Sequence, residues 1–166
     1  SEAPEQGALP GTERLLMRAV VQRVAEASVR IGGRVHAEIR YGLLVLLGIE
    51  TGDTMDDVEW LCGKIARMRL FPDPDGVMNL DVNEAQGEVL LVSQFTLHAS
   101  TRKGNRPSYV RAARPEEAIP LYLRAKQLLI ELSQARVKTG EFGAYMQVSL
   151  INDGPVTIVV DSRTKE

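Results

Sequence analysis

Three stretches of this 166-residue chain carry residue types that could do chemistry. The first is Ser93-Gln94-Phe95-Thr96-Leu97, where the apolar run Val89–Ser93 (VLLVS) ends in polar residues. A serine or threonine hydroxyl attacks a carbonyl only when a base takes its proton, and nothing in the sequence identifies that base. The polar groups suit a site at a strand end, but taken alone they fit better an ordinary hydrogen-bonded terminus in which Phe95 is core. The second stretch is Asn152-Asp153-Gly154-Pro155-Val156-Thr157, between two apolar segments. Asp-Gly usually marks a hairpin turn. Here the proline removes an N–H that a hairpin ladder would use, and X-Pro takes the cis form at low cost. The result is a rigid backbone kink, poor in side chains, with exposed carbonyls; a plain Gly-Pro loop would read alike. The third is the segment from His98 to Arg114, where Arg102, Lys103, Arg106, Arg111 and Arg114 join hydroxyls and Tyr109 without one acid. Such a loop suits phosphate contacts, and it also suits a solvated surface.

Other chemistries find little support. His36 and His98 lack partners at metal-ligand or triad spacing. Cys62 excludes an internal disulfide and a multi-cysteine zinc site, and its helical surroundings predict a packed, inert thiol. Asp73, Asp75 and Gly76 lack the further ligands of a calcium loop, and neither a Walker loop nor a dinucleotide fingerprint occurs. No metal or cofactor is therefore expected. Lys plus Arg (20) nearly balance Asp plus Glu (22), so no global basic field points to nucleic acid, although a local patch suffices. No apolar run reaches membrane-spanning length and no signal-peptide core is visible, so a cytoplasmic protein with no membrane partner is expected.

The elements that must position these stretches follow from periodicity. Residues 1–16 mix Pro, Gly, Glu and Gln without pattern and read as an extension, with Met17 as a natural start. Arg18–Val24 alternates as a strand. Ala27–Ile31, Gly32-Gly33 and Arg34–Ile39 form a hairpin, and the apolar run Gly42–Ile49 reads as a strand buried on both faces. Thr54 and Asp57 resemble a capping box opening a helix along Val58, Leu61, Cys62 and Ile65. Phe71–Gly76 is a turn-rich break. Pro115-Glu116-Glu117 opens a second helix whose face carries Ala118, Tyr122, Ala125, Leu129 and Leu132, with Pro120 either in its first turn or at the start of the helix proper. Val137–Thr139 reads as a short strand. This order predicts a single α+β domain over 17–161, a mostly antiparallel sheet or partial β-barrel covered by two helices, followed by a short tail at 162–166.

Residues Met17 to about Val160 resemble the D-aminoacyl-tRNA deacylases, homodimeric editing enzymes. The resemblance rests on Ser93–Leu97, on Asn152–Thr157, and on the opening Met17-Arg-Ala-Val-Val-Gln-Arg-Val24 with Ala27-Ser28-Val29. It implies a homodimer in which a cis Gly154-Pro155 element enters the partner's site, its carbonyls holding the substrate's α-amino group while the backbone excludes an L side chain. Glycyl-tRNA, being achiral, would be a second substrate beside D-aminoacyl-tRNA. Arg23 would brace the element, supported by Asn152, Val156 and Thr157. Ser93, Gln94, Phe95 and Thr96 would form the pocket floor, with Gln94 and N–H groups near Phe95 as oxyanion donors. The 2′-OH of the terminal adenosine would help activate water, leaving Thr96 in the site without the role of nucleophile. Arg102, Lys103 and Arg106 are the candidates for tRNA phosphates. Two other readings remain: a small-ester hydrolase with a Thr96 or Ser93 nucleophile, and a non-catalytic nucleic-acid-binding module.

Overall fold

A computed structural model describes residues 17–163; the predicted extension at 1–16 lies outside the described residues. The elements run β1 (Arg18–Ile31), β2 (Arg34–Ile39), β3 (Gly42–Gly48), α1 (Met55–Arg67), β4 (Phe71–Pro72), β5 (Met78–Leu80), β6 (Glu88–Ser93), a 3-10 turn (Phe95–His98), α2 (Pro115–Ser133), β7 (Val137–Thr139) and β8 (Gln147–Asp161). The two helices are where periodicity placed them. Asp57 accepts the Thr54 N–H at 2.8 Å, completing the cap of α1. Pro120 lies in the second turn of α2, not the first, because the helix already begins at Pro115. Leu132 is exposed rather than part of the buried face, which is carried by Leu121, Tyr122, Ala125, Leu128 and Leu129.

The sheet is mixed, so the antiparallel expectation holds only in part. β1 pairs antiparallel with β2, β3 and β8, whereas β3–β6 and β6–β7 are parallel. Each parallel step is bridged by a helix, α1 between β3 and β6 and α2 between β6 and β7, as a parallel connection requires. Both helices lie against one core, in which Val21, Leu43, Val45 and Leu91 meet Leu61, Ile65, Ala125 and Leu129. A second, smaller core holds Val24, Val29, Ile39, Leu44, Leu90 and Val92. β3 contributes to both, Leu43 and Val45 to the first and Leu44 to the second, which is why its sequence is apolar throughout. The ends of the ladder approach each other: Lys138 Nζ of β7 donates to the Glu38 carbonyl of β2 at 2.7 Å, and the Arg40 N–H donates to Glu88 at 3.1 Å. The sheet is thus nearly a barrel.

β1 organises the rest. Its 14 residues are one strand, merging the two predicted segments, and β8 runs antiparallel along it from Arg30↔Gln147 to Arg18↔Asp161. β8 is likewise continuous through Asp153-Gly154-Pro155, where a break was expected. The kink is absorbed as register shifts opposite Arg23 and Ala25, the behaviour of a bulge rather than a turn. The turn-rich stretch after α1 contains one further hairpin, β4–β5, too short to be legible from periodicity.

Candidate active site

The Gly154-Pro155 kink is held from both sides. The peptide bond between these residues is cis. Gly154 sits at φ +150°, and a Cβ there would stand 2.7 Å from Val156 Cγ2 and 2.8 Å from its backbone nitrogen, so only glycine fits without strain. Before the kink, the partly buried Arg23 side chain donates from Nε to the Asp153 carbonyl at 2.9 Å and from Nη1 to the Leu70 carbonyl at 2.6 Å. Arg23 therefore grips the residue preceding the Gly-Pro pair and ties it to the segment that follows α1. After the kink, Asn152 spans the bulge: its Oδ1 accepts the Val156 N–H at 2.7 Å, and its Nδ2 donates to the Val156 carbonyl at 3.2 Å and to the Thr157 hydroxyl at 3.1 Å. Two carbonyls and one N–H that a regular ladder would have paired are thus satisfied by side chains.

Ser93, Gln94, Phe95 and Thr96 stand at the end of β6, but not as an extended strand. The chain leaves the sheet at Gln94, whose N–H donates to the Leu47 carbonyl at 2.8 Å, and then tightens into the 3-10 turn. The first bond of that turn is Leu97 N–H to the Gln94 carbonyl at 3.2 Å. The N–H groups at the start of a helix find no acceptor within it, so those of Phe95 and Thr96 remain available to an incoming oxygen. Gln94 Nε2 donates to Thr96 Oγ1 at 2.5 Å. Among the described residues, no carboxylate or imidazole accepts the Thr96 proton, so no base activates it here. Phe95 is not core: the residue is 57% exposed, and its ring meets Tyr109 edge-to-face at 5.1 Å. A small cavity of about 60 Å³ opens beside these residues, lined by Leu47, Ser93, Gln94, Phe95, Ala113 and Phe142 among others.

The turn is anchored by two contacts that sequence reasoning missed. Arg18 Nη1 donates to the Leu97 carbonyl at 3.0 Å, while Nη2 lies 3.5 Å from Asp161 at the end of β8. His98, buried, places Nδ1 3.5 Å from the Glu50 carboxylate, also buried. Gly48 makes room for this, since a Cβ there would stand 2.9 Å from Leu97 Cβ and 3.0 Å from His98 Nε2. Glu50 and His98 are far apart in sequence and no motif joins them; the only signal was a lone acid just past an all-apolar strand. Behind Glu50, its N–H donates to Asp53 Oδ2 at 2.7 Å. Burial pushes the Asp53 carboxyl up to about 7, the Glu50 N–H and Arg163 opposing the rise and the Asp57 and Glu50 charges adding to it. Cys62 is a packed thiol, as predicted, pushed up to about 12 by burial.

Arg102, Lys103 and Arg106 are exposed on a loop closed by reciprocal backbone bonds between Ser100 and Ser108, at 2.8 and 2.9 Å. The loop follows the 3-10 turn directly, so cations and turn share one end of the molecule. The kink does not join them within one chain. It lies opposite Arg23, five residues along β1 from Arg18, which at about 3.3 Å per residue is on the order of 16 Å from the turn. A larger cleft of about 670 Å³, between Glu26–Ser28, Glu38–Arg40 and Ser149–Ile151, contains none of the predicted site residues. Among the described residues no group of His, Cys, Asp or Glu is placed to hold a metal ion, and no helix is long and apolar enough to cross a membrane.

The chain is similar to known proteins. The family model described as D-Tyr-tRNA(Tyr) deacylase matches residues 20–161. A protein of Akkermansia muciniphila named D-aminoacyl-tRNA deacylase is 63% identical over 150 residues, covering 90% of this chain and all of its own length. A solved structure titled c-Myc DNA Unwinding Element Binding Protein is 42% identical with TM-score 0.80, covering 86% of this chain and 97% of its own. A second, titled a probable eukaryotic D-amino acid tRNA deacylase, is 15% identical with TM-score 0.77, covering 89% of this chain and 100% of its own; at that identity it shares the fold.

Proposed function

The chain belongs to the D-Tyr-tRNA(Tyr) deacylase family, and from that premise we propose that it hydrolyses the ester of D-aminoacyl-tRNA and spares the L form. The observation that carries this reading is the clamped kink: Arg23 on the Asp153 carbonyl and Asn152 across Val156 fix the backbone around Gly154. A backbone held this firmly discriminates by shape, since it cannot yield to a side chain on the wrong face of Cα. Glycyl-tRNA, with no side chain, passes the same filter. The separation of kink and turn within one chain supports a homodimer, in which Gly154-Pro155 of one subunit faces Ser93–Thr96 of the other.

In this reading water adds to the ester carbonyl, and the bond to the ribose 3′ oxygen breaks. Negative charge developing on the carbonyl oxygen is met by the N–H groups of Phe95 and Thr96 and by the second N–H of the Gln94 amide. The neighbouring 2′-OH of the terminal adenosine takes the proton from the water as it passes its own to the departing 3′ oxygen, which agrees with the absence of a base beside Thr96 among the described residues. Thr96 holds Gln94 through their hydrogen bond rather than attacking. Release of amino acid from D-Tyr-tRNA, L-Tyr-tRNA and glycyl-tRNA tests the reading: release from the D and glycyl substrates with the L substrate spared is expected. Equal hydrolysis of both enantiomers removes the filter and leaves an esterase, and binding without release leaves a nucleic-acid-binding module. Thr96→Ala is expected to keep turnover within about tenfold; abolished turnover in a folded protein that still binds would make Thr96 the nucleophile.

A further inference from the structure

The two rings beside the turn have no role in the reaction just described, yet they are unusually placed. Phe95 and Tyr109 are 57% and 41% exposed, and their rings meet at 5.1 Å with an interplanar angle of 77°. An edge-to-face pair leaves each ring at least one face that its neighbour does not cover. Tyr109 is held there by the backbone: Ser108 is bridged to Ser100, and the Ala112 N–H donates to the Tyr109 carbonyl at 3.1 Å. The bridge closes a loop whose exposed cations are Arg102, Lys103 and Arg106, in a stretch from His98 to Arg114 with no acid. Exposed aromatic faces beside unopposed positive charge match a single-stranded nucleic acid, whose bases stack and whose phosphates take the cations.

We infer that the Phe95–Tyr109 pair is a stacking platform for an unpaired base of the tRNA 3′ end, next to the nucleotide that carries the ester. The inference rests on the deacylase reading. The ester is on the terminal nucleotide, so a site for the reacting carbonyl at the 3-10 turn places the preceding unpaired nucleotides beside it. Phe95 belongs to that turn, and Tyr109 follows the cationic loop, so the pair spans the path from ester to phosphates. Stacking is indifferent to the identity of the base, which suits an enzyme acting on many tRNAs.

The test compares two substrates, D-tyrosyl-tRNA and the D-tyrosyl ester of adenosine alone, on wild type, Tyr109→Leu and Tyr109→Phe. Base–aromatic stacking is worth enough that Tyr109→Leu is expected to raise KM for the tRNA about tenfold more than KM for the adenosine ester. Tyr109→Phe, which keeps the ring, is expected to behave as wild type. Equal rises on both substrates, or a phenylalanine variant as impaired as the leucine one, overturn the platform. So does a change in the mass of Tyr109→Leu by light scattering, which would make the rings a contact between subunits. A wild-type chain inert on both esters refutes the deacylase reading itself, and the platform with it.

Discussion

The backbone around Gly154-Pro155 and the loop carrying Arg102, Lys103 and Arg106 are built by opposite means. The kink is over-determined: Arg23 holds the carbonyl before it, Asn152 holds the N–H and carbonyl after it, and β1 lies alongside on both flanks. The loop has one reciprocal bridge, Ser100 with Ser108, and everything between those residues is exposed. Chiral selection needs a surface that will not yield, whereas contact with a polyanion needs charge that can follow its phosphates. In the proposed reading, rigidity and adaptability are therefore divided between two places, and mutations should separate discrimination from affinity.

The sharpest break of that division is Gly154→Ala. The new methyl meets Val156 at under 3 Å, and a non-glycine residue at φ +150° is strained by about 1–3 kcal/mol. Deacylation of D-Tyr-tRNA should fall by roughly 100-fold or more, at a cost of that order in stability measured by denaturant unfolding. Activity retained within threefold would mean that the kink selects nothing. Next in size is Arg23. Its hydrogen bonds to the carbonyls of Asp153 and Leu70 leave in two directions from one planar group, which a lysine cannot reproduce. Arg23→Lys and Arg23→Ala should both lose about 2 kcal/mol of stability and about tenfold in kcat/KM. Rescue by lysine would reduce the residue to its charge.

On the other side of the comparison, the double variant Arg102→Ala with Lys103→Ala should raise KM for tRNA several-fold and leave the D-to-L ratio where it was. Because these cations would release counterions from phosphates, the slope of log affinity against log salt should shrink by about 0.7–0.9 for each phosphate left without its cation. An altered D-to-L ratio would show that the loop takes part in selection and would dissolve the division.

Which parts of this could be read in the sequence follows the range of the signals. Local signals held: the Gly32-Gly33 hairpin, the Thr54–Asp57 cap and the doubly buried β3 are each written within a few residues. The parallel pairings β3–β6 and β6–β7 are not local, since they follow from helical crossovers that periodicity shows only as alternating elements. Phe95 reads as core because Gln94-Phe95-Thr96-Leu97 alternates polar and apolar as a half-buried strand would; the departure into a 3-10 turn depends on Gly48 making space beneath it. The Glu50–His98 pair was invisible for a similar reason. Its meaning depends on two strand ends being neighbours in space, and neither residue has a partner at motif spacing.

The smallest expected effect lies behind the turn, between the two regions compared. Asp53 accepts the Glu50 N–H, and Glu50 in turn faces His98 at the end of the turn. The Asp53 carboxyl is pushed up to about 7 by burial first, then by the charges of Asp57 and Glu50. The folded protein therefore keeps this proton up to about pH 7, while the unfolded chain gives it up near 4. Between those values the native state binds more protons, so this group's contribution is full at low pH and is lost as pH rises through 7. Asp57 works in the other direction: although burial favours its neutral form, hydrogen bonds from Thr54 and Ser162 hold its carboxyl below the usual range. Wild type alone therefore reports a mixture, and the difference between wild type and Asp53→Asn isolates Asp53. Asparagine keeps an oxygen for the Glu50 N–H and cannot ionise. Relative to wild type the variant should gain of order 2 kcal/mol between pH 5 and pH 8 in denaturant unfolding, once solvent screening at this half-buried position is discounted. A parallel gain in turnover would place the Glu50–His98 anchor with the rigid half of the site; stability rising without turnover would leave the turn's geometry to Arg18 and Gly48.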